Sequence, residues 1–310
     1  MAFNYLYIKN FVLLLVVFAI QTKFSSATPR ILALVKQNPL VLKYHKGILL
    51  KGNVNVNLIW YGKFTSTQRS IIVDFFQSLN LKNRHGSPPL SVASWWRTTT
   101  NYKGGSSIIN IGKQVFDQNY SLGKSLKDAQ IVALASKVSA HVNGVNVVLT
   151  ASDVAVEDFC MSRCGTHRYI RGKNGKKYAY AWVGNSGSQC PGQCAWPFQK
   201  PIVGPQTPPL VAPNGDVGVD GMVINLATVL AGAFTNPFDG GYFQGSPSAP
   251  LEAVTACIGI FGSGAFPGYP GKVLVDKKTG ASYNAQGENG RKYLLPAMWD
   301  PVTLKCKTPV

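Results

Sequence analysis

Four cysteines crowd one stretch of this 310-residue chain: Cys160 and Cys164 stand four apart, and Cys190 and Cys194 repeat the spacing. Thiolates at that interval can close a tetrahedral zinc site, with His167 as a substitute for one of them, because structural zinc sites use gaps of about two to four residues. In an oxidising compartment the same sulfurs become disulfides instead. The expected pattern joins the 160/164 couple to the 190/194 couple and closes Cys257 onto Cys306. Between the couples lies the densest run of cations, Arg168, Arg171, Lys173, Lys176 and Lys177, interleaved with Tyr169, Tyr178 and Tyr180. It is a candidate contact for a polyanion, against the plainer reading of a solvated basic loop between strands.

No other group of residues completes a catalytic constellation. A zinc peptidase needs two histidines four apart on a helix with a glutamate beside the first, and His45, His85, His141 and His167 are not so spaced. The stretch Gly184-Asn185-Ser186-Gly187-Ser188 lacks the last glycine of a serine-hydrolase elbow and reads as a turn. A glycosidase needs two carboxylates ~5 to ~9 Å apart; Glu157, Asp158, Asp216, Asp220 and Glu252 are the candidates, with caps and turns as their plainer roles. Trp95-Trp96 and Tyr242-Phe243 offer either a sugar-stacking surface or core packing. Asn119-Tyr120-Ser121 is a glycosylation sequon. No catalytic residue, metal site or cofactor is assigned.

The elements that would position these groups read as one mixed α/β domain. Val54, Val56, Leu58 and Trp60 alternate with asparagines, which predicts a half-buried strand ending at Tyr61-Gly62. A helix capped by Ser66 follows and ends near Asn80. Ser107 to Ile111 predicts a short strand, Ser125 with Asp128 a capping box opening a helix through Ala140, Val145 to Leu149 a buried strand, and Tyr178 to Val183 another. Six prolines between Pro197 and Pro213 enforce an irregular passage. Asp220 is the expected cap of a helix over Gly221–Ala233 that is apolar nearly all round, hence buried. Gly/Pro turns and short extended pieces fill the rest.

Met1 to Asn10 carries one cation, Phe11 to Ile20 is unbroken apolar sequence, and Ser25-Ser26-Ala27 supplies small residues. This predicts a signal peptide over residues 1–27, cut after Ala27, and a single domain over 28–310. The apolar run is too short for the ~20 residues of a spanning helix, so stable membrane insertion is not expected. Cations dominate, 31 Lys and Arg against 13 Asp and Glu. Nothing resembles a zinc finger, basic zipper or RNA-recognition motif, so nucleic acid is not an expected partner. In an extracellular protein the counter-charge is acidic polysaccharide.

Several segments resemble one family: Leu58-Ile59-Trp60-Tyr61-Gly62, Cys160-Met161-Ser162-Arg163-Cys164-Gly165-Thr166-His167, Gln189-Cys190-Pro191-Gly192-Gln193-Cys194-Ala195-Trp196-Pro197-Phe198, Gly218-Val219-Asp220-Gly221-Met222, Thr235-Asn236-Pro237-Phe238 and Gly290-Arg291-Lys292-Tyr293-Leu294-Leu295-Pro296. They are similar to the plant EXORDIUM and phosphate-induced protein 1 family. The resemblance implies a secreted protein of the apoplast or cell wall, tied to growth, cell expansion and brassinosteroid response, and it supplies no catalytic residues. The expected partner is acidic cell-wall polysaccharide or an extracellular receptor; a wall-modifying hydrolase or transferase and a metal-stabilised binding module are the alternatives. The helix ending in Thr235-Asn236-Pro237 also resembles the metal helix of secreted zincin-like proteins. Asn225, Thr228 and Val229 stand there in place of ligands and base, which implies a zincin-like fold without a metal site.

Overall fold

The computed structural model describes residues 40–80, 90–105, 107–139, 141–161, 163–173, 175–201, 204 and 207–310. The expected leader, its cleavage point, His85 and Ser162 lie outside the described residues. The fold is mixed α/β. Strands β1 (Gly52–Tyr61), β2 (Ser107–Asp117), β3 (Gly144–Thr150), β4 (Gly165–Arg171) and β5 (Lys177–Gly184) form one sheet in the order β2-β1-β3-β5-β4. All neighbours are parallel except the β4–β5 pair, an antiparallel hairpin that ends the sheet.

The expected half-buried strand is β1, but both of its faces are covered from Val56 onward. Central strands of a parallel sheet carry helices on both sides, so Asn57 cannot stay solvated, while Asn53 and Asn55 nearer the start of the strand remain exposed. Asn57 instead pairs inside: its Nδ2 donates to Asn146 Oδ1 at 2.8 Å, and its Oδ1 accepts from Lys113 N at 2.8 Å. That second bond satisfies the backbone where the β1–β2 register shifts between Val56 and Leu58. Asn146 in turn donates to the carbonyls of Ala135 and Val138. A polar ladder thus crosses the core with its partners supplied, the condition under which buried amides are tolerated.

Helix α1 (Ser66–Ser78) starts one residue earlier in its cap than expected. Thr65 Oγ1 accepts from Gln68 N, and Gln68 Oε1 accepts from Thr65 N, a reciprocal box that Ser66 cannot make. Ile71, Ile72, Phe75 and Phe76 are buried from it. The expected box at Ser125 is replaced by a two-residue strand pairing with Ala155–Val156, and α2 (Asp128–Ala135) follows it. This helix stops short of Ala140, with Ser136 closing it. A four-residue helix, α3 (Pro191–Cys194), is bounded by the second cysteine couple, with Cys190 preceding its first residue and Cys194 its last.

Helix α4 (Val217–Thr235) is capped by Asp216, whose Oδ1 accepts from Val219 N at 3.0 Å. The expected cap, Asp220, lies one turn inside and is buried. By length and composition α4 could cross a membrane, yet 83% of it is buried inside this domain, packed on β4, β5 and α1. Of the described residues, 40–310 form one packed unit.

Candidate functional site

All six cysteines are oxidised. Cys160–Cys190 and Cys164–Cys194 tie the chain entering β4 to α3, and Cys257–Cys306 closes the C-terminal segment. Paired sulfurs cannot also serve as thiolate ligands, so the zinc alternative built on the two cysteine couples falls. The couples cross-link in register, first to first and second to second, at a separation of 30 residues each.

Between them the expected basic loop is largely strand. β4 was not legible because its seven residues, Gly-Thr-His-Arg-Tyr-Ile-Arg, hold two cations and show no apolar alternation. Side chains at Gly165, His167, Tyr169 and Arg171 face α4: a Cβ on Gly165 would meet Val229, and His167 lies against Gly232. Arg168 points to the other face. The five cations therefore diverge. Arg168, Arg171, Lys173 and Lys176 are exposed, while Lys177 is half-buried, donating to Phe238 O at 3.2 Å with its ammonium 4.2 Å from the Tyr169 ring centre. Lys177 holds the hairpin to the segment after α4, leaving the others to face solvent. No described carboxylate forms an ion pair with Arg168, Arg171 or Lys173.

Beneath β4, His167 Nε2 meets Glu252 Oε2 at 2.7 Å, and Asn236 Nδ2 donates to Glu252 Oε1 at 2.7 Å. The group is buried. Burial opposes the imidazolium and the Glu252 carboxylate more than offsets it, so the His167 pKa is raised. Gly232 is required here, since a Cβ would stand 2.5 Å from His167 Nε2 and 2.7 Å from Glu252 Oε2. Sequence spacing had no means of joining residues 85 positions apart.

The other acids are engaged one by one. Asp216 caps α4, Glu157 accepts from Asp128 N, and Asp158 lies 3.7 Å from Arg163. Asp220 accepts from the backbone and side-chain nitrogens of Asn214, and burial pushes its carboxyl up to about 7. Trp95 and Trp96 are core residues, and so are Tyr242 and Phe243. Asn119 is exposed in the turn after β2, as a glycan acceptor must be.

A cleft of about 880 Å³ opens between α4, the first residues of β4 and the loops after Val254 and Gly264. Asn225, Thr228 and Val229, the positions marked by the zincin resemblance, line its floor. Asn225 Nδ2 donates to the carbonyls of Cys194 and Gly221, and Thr228 Oγ1 to that of Ile224, so two of the three are tied to backbone. Trp196, Phe261 and Phe266 supply aromatic walls, and no Asp, Glu, His, Lys or Arg lines the cleft among the described residues. Sequence reasoning missed it because its walls come from loops that carry no periodic signal.

These features define a disulfide-braced α/β protein that presents a basic hairpin beside an uncharged cleft. The sequence model described as "Phosphate-induced protein 1 conserved region" matches residues 42–309. The chain is 61% identical to Protein EXORDIUM-like 2 of Arabidopsis thaliana over the whole of both chains. It is 58% identical to Protein PHOSPHATE-INDUCED 1 of Nicotiana tabacum, covering 92% of this chain and 93% of that one, and 58% identical to Protein EXORDIUM of Arabidopsis thaliana, covering 87% and 90%. The chain belongs to the EXORDIUM and phosphate-induced protein 1 family of plant proteins. No solved structure matches it.

Proposed function

We propose that this protein is exported to the apoplast, where it holds acidic cell-wall polysaccharide through the β4–β5 hairpin and acts in growth, cell expansion and brassinosteroid response without turnover. The observation that carries the reading is the exposure of Arg168, Arg171 and Lys173 on one hairpin with no described carboxylate neutralising them. Two disulfides anchor its base, so little ordering entropy is lost when a polymer docks. The three disulfides and the exposed sequon at Asn119 fit an oxidising, glycosylating route. An extracellular receptor is the alternative partner. Carboxylates engaged separately give the hydrolase or transferase reading no paired acid and base.

The test is retention of the purified protein on pectin and on a neutral glucan at rising salt. Retention on pectin alone, lost as salt shortens the screening length from about 10 Å at 0.1 M to about 3 Å at 1 M, supports the proposal. The double variant Arg171→Glu/Lys173→Glu should elute at markedly lower salt with an unchanged melting temperature. Equal retention of that variant, or no retention of the parent at low salt, overturns it.

A further inference from the structure

The outer edge of β4 carries a row of backbone groups that β5 leaves unpaired, in which the His167 carbonyl accepts from Thr166 Oγ1 at 3.4 Å. Gly172 N donates to Lys176 O at one end of the hairpin ladder and Gly184 N to Cys164 O at the other, which sets the phase of the pairing. Thr166, Arg168 and Ile170 commit their backbone groups to β5, and Gly165, His167 and Tyr169 turn theirs outward. No described backbone group bonds to those three outward N–H groups. The opposite edge of the sheet is treated differently: at Ile109 on β2, the Asn80 side chain accepts from the backbone N–H at 2.8 Å and donates to the carbonyl. An open row of alternating donors and acceptors is a template for one more strand.

The cleft begins where that row begins, because Gly165 belongs to both. Its rim exposes apolar side chains that the fold itself does not need: Ile258 is 88% exposed and Phe266 60%. Its described lining residues carry no charge in a chain with 31 cations, so it is matched to a neutral occupant and not to a polyanion. A sugar chain would call for planar polar side chains converging on hydroxyls. Two amides line the cleft, Asn225 and Gln193, and Asn225 Nδ2 is held by two carbonyls. A polypeptide strand satisfies both halves of the site, with N–H and C=O groups repeating at the interval of the β4 edge and alternate side chains turned into the cleft.

We propose that the β4 edge and the adjoining cleft bind an extended, uncharged polypeptide segment of another protein, which adds to the sheet beside β4 and seats its alternate apolar side chains against Val229, Trp196 and Phe266. Arg168 and Arg171 belong to the same strand, so this surface adjoins the cations proposed for acidic polymer, but the two readings fail separately: peptide binding here is insensitive to salt, whereas pectin retention is not.

The experiment uses the full mature protein and a capped octapeptide of alternating valine and threonine. Beside it run the same peptide N-methylated at every second amide and a neutral glucan hexasaccharide. Binding is followed by Trp fluorescence, and amide hydrogen exchange is read at Gly165, His167 and Tyr169. The expected result is saturable binding that slows exchange at those three amides, persists at 1 M salt, and weakens about tenfold or more on N-methylation and in Ile258→Glu. Ile258 is almost wholly exposed, so its variant folds and isolates the rim contact. Equal binding of the N-methylated peptide, unchanged exchange at the three amides, no peptide binding at millimolar concentration, or binding of the glucan in place of the peptide would each overturn the proposal.

Discussion

His167, held by the Glu252 carboxylate, and Asp220 are two groups whose shifted pKa ties stability to pH. His167 has a raised pKa in the folded protein, so its contribution to stability is complete below the unfolded value of about 6.5 and is lost as pH rises through the folded value. Asp220 is raised to about 7, so its contribution is complete below about 4 and is lost as pH rises through 7. Both groups act in the same direction: the domain should be more stable in mild acid than in mild alkali. Urea unfolding from pH 4 to pH 9 should show the midpoint falling with pH. Asp220→Asn should flatten the lower part of that fall, and Glu252→Gln the upper part. A midpoint that rises with pH over this range would contradict the assignment of both groups.

At the level of elements, the β4–β5 hairpin depends on its covalent base. Each of the two disulfides there closes a segment of 30 residues, a constraint on the unfolded chain of roughly 3–4 kcal/mol. Replacing both Cys164 and Cys194 by Ser should lower stability by about that amount. It should also speed amide exchange along β4 and α3 while leaving β1 and β3 protected, which a hydrogen-exchange map can resolve. Uniform loss of protection across the sheet would mean that the hairpin is not a separable unit. Lys177 gives a second handle on the same element. Lys177→Ala removes a carbonyl hydrogen bond and a cation–π contact, together worth about 1–2 kcal/mol, and should change melting temperature more than pectin retention.

For the whole molecule, excess cation and oxidised sulfur are properties that make sense together outside the cell. The expected leader is the piece on which the proposed location turns. A reporter fused after residue 310 should accumulate in the wall space with the full chain and stay inside the cell when residues 1–27 are deleted. N-terminal sequencing of the exported form should begin at Thr28, and thiol counting should find no free sulfhydryl. Export of the leaderless chain would sever location from that segment.

Much of this protein was legible from residue order, and the reasons are local. Val145–Leu149 and Tyr178–Val183 are apolar runs that only a buried strand accommodates, and they are β3 and β5. The spacing of the cysteines brought the right couples together. The apolar circumference of the helix from Gly221 to Ala233 declared a core helix, although its cap moved to Asp216 because a helix starts where a side chain can reach the free N–H groups. Tertiary structure alone decided the rest. Whether Asn57 is wet or buried depends on how many helices cover a sheet, and β4 becomes a strand because β5 offers it a ladder despite its charges. The His167–Glu252 contact and the cleft join residues distant in the chain, so no periodicity encodes them. Short-range steric and hydrophobic patterns are written along the sequence; proximity between distant segments exists only after the chain has closed on itself.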